Sequence, residues 1–393
     1  MPATTAPAAP PRTMQGIAIP AESVNPPLFF QLTRRHTRTE KVIPFAWQLQ
    51  DTVELLKADI LAGIDIVFSG VLTTVKGAGT VNPSGRWPYD LLKRVVLSAN
   101  GQSNLINVSG AKLKARDIMK HSDLTDRGVS QVIGAGAKTQ GTLAMASEAW
   151  GVGSQVANAA DVAAVPVELA WNVPVAEDEV DLLGALFLAT SSSDLTLTLQ
   201  YATLAELFGP TGGAAVTLTG TFTVISRKFS VPIGPSGQIV VPDLSTFHSM
   251  IESRYTALGT GENEVRLVGQ GAGKNLLRVI GQTWNGATPA PVALTAANYG
   301  QMAWRYGSNE TPDAWPDGTA FRKDMERRYN SDLGAYFGFW AHDFAHENVF
   351  RDVVDEGTAA ELRLIVTLAN GLVLNSPALE YVAETVFLSG VGA

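Results

Sequence analysis

Apolar and polar residues alternate along much of the chain, in both halves. The clearest segments are residues 64–75 (IDIVFSGVLTTV), 217–229 (TLTGTFTVISRKF) and 378–388 (ALEYVAETVFL). Alternation sends successive side chains to opposite faces, so one face can be buried while the other stays in water. These segments are predicted to be strands, and the lack of a regular alternation of strands and helices favours antiparallel sandwiches.

Two segments nearly repeat each other at a spacing of 185 residues. Residues 91–101 read LLKRVVLSANG and residues 276–286 read LLRVIGQTWNG. Both end in Asn-Gly, a strong hairpin signal because both residues accept positive φ. A second pair follows in the same order, since residues 194–202 (DLTLTLQYA) resemble residues 361–369 (ELRLIVTLA). The repeats predict a tandem duplication of one β-rich domain.

Other segments carry helix signals. Asp51 and Glu54 form a capping-box pattern at the start of residues 51–63, and Asp243 is expected to cap a helix over residues 243–255. The other predicted helices are residues 111–121 and 295–307 and the short acidic segments 175–183 and 344–350. The remaining predicted strands are residues 42–50, 238–242 and 263–270.

Length and one linker predict the domain organisation. At 393 residues with 46% hydrophobic residues, the chain can bury two cores of ordinary domain size. The segment VPIGPSGQ has the Pro/Gly/Ser composition of a linker. The predicted divisions are an N-terminal arm (1–41), a first sandwich (42–230), the linker (231–238) and a second sandwich (239–393). Each sandwich is expected to contain eight strands of like topology.

The amino-acid composition excludes several kinds of functional site. The chain contains no cysteine, which excludes disulfides, thiolate metal sites and cysteine nucleophiles. Only 17% of the residues are charged and 37 are glycine, a balance that favours many turns and broad surfaces packed against other subunits. A signal peptide is not expected, because MPATTAPAAPPRTM lacks a continuous apolar stretch, and a membrane span is not expected, because no apolar run approaches about 18 residues.

The N-terminal arm and the rest of the chain have opposite charge. Residues 1–41 carry a net charge of +3, whereas the remainder carries −11. The basic residues Arg34, Arg35, Arg38 and Lys41 follow the apolar segment PPLFFQL. Such a segment is predicted to contact either anionic lipid headgroups or the acidic surface of a neighbouring subunit. The alternative is a disordered leader with a solvated run of charge.

A search for catalytic or metal-binding residues identifies no complete site. His342 and His346 have the i, i+4 spacing of a metal-binding helix, but the preceding residues alternate like a strand, so a polar, solvated corner is expected instead. Residues 269–275 (GQGAGKN) depart from the phosphate-loop pattern in glycine spacing and in Asn275. The eight tryptophans are scattered and are interpreted as core or interface anchors. The chain is therefore predicted not to be an enzyme, with no cofactor, metal site or catalytic residue.

Three segments carry a resemblance to a known family. VPDLSTFHSM (241–250), YDLLKRVVLSANGQ (89–102) and VPVAEDEVDLLGALF (173–187) resemble matching segments of the major capsid proteins of tectivirus-like bacteriophages, the double jelly-roll coat proteins of the adenovirus-hexon lineage. The resemblance implies an all-β fold of two tandem eight-stranded jelly rolls with short helices in the connections. It also implies pseudo-hexagonal homotrimers that tile an icosahedral virion shell around an internal membrane.

In that family the N-terminal arm lies on the membrane side. The expected partners are neighbouring trimers, membrane lipids and minor capsid proteins, without specific nucleic-acid binding, and the expected location is the capsid of a virion made in the host cytoplasm. Two alternatives remain open. One is a carbohydrate-binding or receptor-binding sandwich, as in a phage spike, and the other is a bicupin-type enzyme, which would normally need a His-x-His pair that this chain lacks.

Overall fold

A computed structural model gives the fold of the chain. The structure describes residues 13–14, 17–18, 26–75, 77–79, 81, 84, 86–99, 102–120, 161–180, 182–188, 194–234, 237–267, 274–286, 290–306, 311–329, 338–345, 354–355 and 362–388. No helix among these residues is long and apolar enough to cross a bilayer. Most of the regular structure is strand, as the alternating pattern predicts.

The first half forms an eight-stranded sandwich. Its strands are β3 (Arg35–Pro44), β4 (Gln50–Glu54), β5 (Ile60–Val75), β6 (Leu92–Ala99), β7 (Gln102–Val108), β8 (Asp161–Pro174), β10 (Leu195–Tyr201) and β11 (Ala215–Phe229). One layer, which we name sheet 1a, has the order β3-β11-β5-β8, and the other, sheet 1b, has the order β4-β10-β6-β7. This order, in which the first strand lies beside the last, is that of a jelly roll.

The second half repeats the arrangement. Its strands are β12 (Thr246–Tyr255), β13 (Gly261–Arg266), β14 (Lys274–Asn285), β16 (Tyr299–Tyr306), β17 (Asp313–Trp315), β18 (Phe339–Asp343), β20 (Leu362–Leu368) and β21 (Ala378–Leu388). Sheet 2a has the order β12-β21-β14-β18 and sheet 2b the order β13-β20-β16-β17. The prediction of two eight-stranded rolls of like topology is therefore confirmed.

Short elements fill the connections. The helices are α1 (Pro26–Leu32), α2 (Gly110–Lys120), α3 (Leu204–Leu207) and α4 (Gly318–Tyr329), with one 3₁₀ turn at Tyr89–Leu91. The remaining strands are β1 (Thr13–Met14), β2 (Ile17–Ala18), β9 (Leu186–Phe187), β15 (Ala290–Pro291) and β19 (Val354–Asp355). Helices α2 and α4 occupy equivalent places, because each joins the fifth strand of its roll to the sixth.

The two rolls share a sheet. Strand β7 pairs in parallel with β12 through Met250 opposite Ile106 and Ile251 opposite Asn107. This pairing joins sheet 1b edge to edge with sheet 2a into one ten-stranded sheet. Sheet pairing across the boundary fixes the second roll beside the first.

Large aromatic side chains fill both sandwiches. Trp171 lies between the sheets of the first roll with Phe222, and Trp304 and Trp340 contact each other in the second. These tryptophans are at most 1% exposed, so they are core anchors. Trp150 lies outside the described residues.

Several predicted helices are wrong. Residues 50–54 and 60–75 are strands, and residues 246–255 form β12. Before this strand, the Asp243 carboxylate accepts the Ser245 N–H in a local turn instead of capping a helix. The capping patterns were real local signals, but cross-strand pairing outweighed them.

The other errors fall on three short segments. Residues 299–306 form β16, and the described residues of 175–183 make turns. The predicted strand over 238–242 reduces to a single bridge between Ile239 and Ile233. Most of 344–350 lies outside the described residues.

Of the two pairs of similar segments that suggested duplication, only one occupies equivalent positions in the two rolls. Strands β10 and β20 are both the seventh strand of their roll, so that match is topological. Strand β6, however, is the fourth strand of the first roll and β14 is the third of the second. The predicted boundary between residues 41 and 42 also falls inside β3, which pairs with β11 from Arg35 onward.

Candidate functional site: the buried ionic joint between the rolls

Helix α2 lies between the two rolls and carries charge into the contact. Residues 110–119 are all buried, although they include four ionisable side chains, those of Lys112, Lys114, Arg116 and Asp117. Lys112, Arg116 and Lys120 recur every four residues, so they lie along one side of the helix. Because a buried charge is costly unless it is paired, the facing surface must supply carboxylates.

Glu384 of β21 is the centre of the first cluster. Its carboxylate accepts hydrogen bonds from Arg116 Nη2 and from Arg278 Nη1, each at 2.7 Å. His248 Nε2 lies 2.7 Å from the same Oε1 atom, and His248 Nδ1 lies 3.0 Å from the carbonyl oxygen of Pro174. Three cationic or imidazole side chains from both rolls therefore converge on one carboxylate.

Arg278 of β14 extends this cluster in two directions. Its Nη2 donates to Glu177 Oε1 at 2.6 Å, and its Nε donates to Asp343 Oδ2 at 3.1 Å. Lys120 Nζ lies 2.6 Å from the same Glu177 oxygen. Glu177 follows β8 of the first roll, whereas Arg278 and Asp343 belong to the second. The cluster thus ties both rolls together through paired charges.

A second cluster lies one helical turn away. Lys112 Nζ donates to Gln282 Oε1 at 3.3 Å and lies 3.5 Å from Glu380 Oε2. Arg86 bridges Asp90 at 3.0 Å and Glu380 at 2.9 Å. The clusters form a continuous seam, which we call the ionic joint.

Burial and charge act against each other on these carboxyl groups. For Glu177, burial alone would raise the pKa, but the charges of Arg278 and Lys120 hold it at about 2. The pKa of Glu384 is held well below its ordinary value in the same way, by Arg116 and Arg278 against the effect of burial. At Asp90 burial outweighs the attraction of Arg86 and Lys112, so its pKa is raised. Burial alone would lower the pKa of Arg278, but the carboxylates of Glu384, Asp343 and Glu177 raise it well above its ordinary value.

The ionic joint is a network of paired charges that spans both rolls. Its cations and carboxylates are matched across the seam, so each side chain is held in a fixed orientation by its partners. No group of three or more His, Asp or Glu side chains in the described part of the chain is arranged to hold a metal. These buried ion pairs tie the first roll to the second.

The four predicted basic residues lie along β3 and the residue before it. The Arg34 N–H donates to Ser230 Oγ at 2.8 Å, which places Arg34 at the end of sheet 1a beside the linker. Arg35 pairs with Glu179 at 2.8 Å, and Lys41 Nζ donates to the Thr52 carbonyl at 3.1 Å. Arg38 Nε lies 3.7 Å from Glu40. All four side chains are exposed, but they are spread over about 20 Å of one strand.

His342 is not in a solvated corner, and that expectation is wrong. It lies in β18, 4% exposed, against the rings of Trp304, Trp315 and Phe344. Burial, with a contribution from Arg328, lowers its pKa to about 3, so the ring is neutral. His346 and residues 268–273 of the glycine-rich segment lie outside the described residues.

Sequence reasoning missed the ionic joint, although one half of it was visible. Lys112, Arg116 and Lys120 are evenly spaced in a helix that was predicted over nearly the observed range. The alternating pattern of β21 also places Glu380 and Glu384 on one face of the sheet. Evenly spaced basic residues on one side of a helix, together with acidic residues on one face of a strand, would have indicated that the two elements pair.

Comparison with known proteins supports the fold. No family model and no functionally characterised protein matches the sequence. The structure is similar to that of the STIV MCP, at 14% identity and a TM-score of 0.64, covering 90% of this chain and 97% of that chain. It is also similar to a chain in the atomic structure of Sulfolobus turreted icosahedral virus, at 14% identity and a TM-score of 0.59, covering 90% and 91%.

A third similar structure comes from the PBCV-1 virus capsid, at 14% identity and a TM-score of 0.52, covering 92% of this chain and 97% of that chain. These neighbours are double jelly-roll major capsid proteins. The chain has the double jelly-roll fold that they share.

Proposed function

We propose that the protein is a major capsid protein that forms homotrimers and tiles an icosahedral shell. The observation that carries this is the pair of rolls held side by side by a shared sheet and a buried ionic joint. Two similar rolls in each chain give a trimer a near six-fold outline, which suits a repeating tile on a curved surface. The fold neighbours, which include the STIV MCP and the PBCV-1 virus capsid, support the same reading.

The test is assembly of the purified full-length chain. Gel filtration with light scattering is expected to give a trimer near three times 41.7 kDa. Electron microscopy at high protein concentration should then show hexagonal sheets or closed shells. A chain that stays monomeric over the whole concentration range, and forms no lattice, would overturn the proposal.

We also propose that the basic end of sheet 1a faces an internal membrane or a neighbouring subunit. Arg34 and Arg35 follow α1, whose Leu32 is exposed, and the Arg34 N–H bonds to Ser230 just before the linker. Ile233 in the linker and Ile239 after it are also exposed, Ile233 by 71%. Basic and apolar side chains together are the combination that binds a lipid interface. Arg38 and Lys41 lie farther along β3, where a neighbouring subunit is the more suitable partner.

Point substitutions are the suitable test of this contact, since deleting residues 1–41 would remove seven of the ten residues of β3. Each basic residue near an anionic surface contributes on the order of 1 kcal/mol. Arg34→Gln with Arg35→Gln should therefore weaken binding to phosphatidylserine vesicles about tenfold or more, while Arg254→Gln on β12 serves as the control. Equal binding by both variants in low salt would assign these residues to the protein contact or to solvent.

A further inference from the structure

His248 is buried between the two rolls and contacts both. It belongs to β12, the strand that pairs with the first roll, and its side chain has no exposed surface. Its Nε2 atom lies 2.7 Å from Glu384 Oε1 of the second roll, and its Nδ1 atom lies 3.0 Å from the carbonyl oxygen of Pro174 in the first roll. The imidazole ring therefore spans the ionic joint, with one nitrogen directed at each roll.

Both oxygen atoms that face the ring are hydrogen-bond acceptors. A backbone carbonyl oxygen can only accept a hydrogen bond, and the same is true of an ionised carboxylate. A neutral imidazole has a single N–H, so the lone pair of its other nitrogen would face an oxygen atom at hydrogen-bonding distance. Only the imidazolium, with an N–H on each nitrogen, can donate to both oxygens.

The other way to satisfy both contacts would be a protonated Glu384 beside a neutral ring. Arg116 and Arg278 each donate to Glu384 Oε1 at 2.7 Å. Burial alone would raise the pKa of this carboxyl, but the charges of Arg116 and Arg278 hold it well below its ordinary value. Glu384 is therefore ionised, and the proton shared by the pair belongs to His248.

The charged side chains around His248 balance one another without its proton. Within the described residues they are three cations and three carboxylates: Arg116 and Lys120 of α2, Arg278 of β14, Glu384 of β21, Asp343 of β18 and Glu177 after β8. Arginine and lysine ordinarily keep their protons to about pH 10 and carboxylates ordinarily lose theirs near pH 4, whereas an imidazole ordinarily changes charge near pH 6.5. His248 is therefore the member of this cluster whose charge can change near neutral pH.

A close contact with the first roll links the position of the ring to the position of the rolls. Gly184, which has a φ of +85°, packs against His248 so closely that a Cβ on the glycine would lie 2.4 Å from the histidine Cβ. Because Gly184 and Pro174 both belong to the first roll, His248 cannot move far from its hydrogen-bond partners unless the two rolls also move.

We propose that His248 is a buried imidazolium that holds the second roll to the first, and that loss of its proton above neutral pH loosens the ionic joint. Without the proton, one ring nitrogen directs a lone pair at the Glu384 carboxylate or at the Pro174 carbonyl, and that contact becomes repulsive. The proposal goes beyond the proposed capsid function and does not depend on it, because it concerns a contact within one chain.

The first measurement is the urea midpoint of the full-length chain between pH 6 and 9. The folded chain keeps the proton above pH 6.5, whereas the unfolded chain releases it, so stability should be lost as the pH rises. The unfolding equilibrium constant should increase by up to about tenfold for each pH unit in this window. His248→Gln cannot titrate, so it should be less stable than the wild type at pH 6.5 and should lose this dependence on pH.

His36→Gln is the matched control. His36 also lies beside a carboxylate, that of Asp59 at 3.3 Å, but its side chain is 42% exposed. An exposed pair contributes little to stability, so this variant should keep the pH dependence of the wild type. Circular dichroism at pH 6.5 verifies that both variants fold.

Hydrogen exchange measured by mass spectrometry tests where the loosening occurs. Helix α2 carries Arg116 and Lys120 into the joint, whereas α4 packs on β16, β17 and β18 of its own roll. After correction for intrinsic exchange rates, the protection of α2 should fall relative to that of α4 between pH 7 and 9. In His248→Gln, the protection of α2 should already be low at pH 7.

NMR of the wild-type chain labelled with ¹⁵N-histidine tests the protonation state directly, even if His248→Gln does not fold. An imidazole with the ordinary pKa is about 90% neutral at pH 7.5, yet one imidazolium should persist in the folded protein at this pH. A spectrum with neutral imidazoles only, an unchanged pH dependence in His248→Gln, or equal loss of protection in α2 and α4 would overturn the proposal. A chain that never forms trimers would overturn the proposed capsid function instead.

Discussion

Replacing Glu384 with glutamine tests whether ion pairing holds the two rolls together. The Glu384 side chain is 1% exposed and accepts hydrogen bonds from Arg116 and Arg278. Glutamine keeps the size of the side chain but removes its charge, leaving two guanidinium groups buried without this counter-charge. Breaking a buried pair from one side costs about 3–5 kcal/mol, because the remaining charge is still desolvated. We expect the free energy of unfolding to fall by that amount.

Glu264→Gln is the matched control. Glu264 also pairs with two arginines, Arg305 and Arg363, but its side chain is 35% exposed. Exposed pairs contribute about 1 kcal/mol or less, so this variant should lose little stability. Urea unfolding followed by tryptophan fluorescence at pH 7 measures both variants. If the chain unfolds as one unit, Glu384→Gln should also lower the melting temperature by roughly 4–6 °C. A loss no larger than that of Glu264→Gln would refute the reasoning.

Three further outcomes are expected. Because the pKa of Glu177 is lowered to about 2, its contribution to stability is complete above about pH 4.5 and is lost as the pH falls toward 2, which urea midpoints between pH 6 and 3 will show. The pKa of His342 is lowered to about 3, so only the unfolded chain protonates this imidazole just below pH 6.5, and stability should fall further from pH 6.5 downward. His342→Phe should flatten the plot of urea midpoint against pH between pH 6.5 and 4.5. Gly281→Ala should cost about 1–3 kcal/mol, because the new Cβ would lie 2.1 Å from the Trp340 ring, whereas Gly300→Ala meets only Thr367 at 3.1 Å and should cost less in the same urea assay.

The strands with the strongest alternation were predictable because burial on one face imposes a period of two. Residues 217–229 and 378–388 were placed almost to their observed ends. Helix α4 was missed although its signals are in the sequence. Asp317 accepts the Ala320 N–H at its start, and Phe321 and Met325 recur at helical spacing. The helix was predicted instead over residues 295–307, of which residues 299–306 form β16.

The ionic joint could not be derived from sequence patterns, because its partners are distant along the chain. Arg116 and Glu384 are separated by 268 residues, and Lys112 and Gln282 by 170. Local periodicity assigns each residue to a face of its own element but does not say which elements meet. The parallel pairing of β7 with β12 decides which elements meet, and it involves only two residues of each strand, so it leaves almost no local signal in the sequence.

The outer faces of sheets 2a and 1a occupy the same place in their rolls but differ in chemistry, and the free-energy cost of burying charge explains why. The outer face of sheet 2a carries Glu380, Glu384 and Arg278, and it is covered within the chain during folding. Desolvating those charges is then part of one intramolecular event, in which the partners are already held near one another. The corresponding face of sheet 1a has Val42 and Thr221 at its centre, with Glu168 in the same row as Thr221 and the ion pair of Asp65 with Arg227 nearer its end. The dense set of buried charges therefore lies on the face that is covered within the chain, where the fold itself holds the partners that compensate for desolvation.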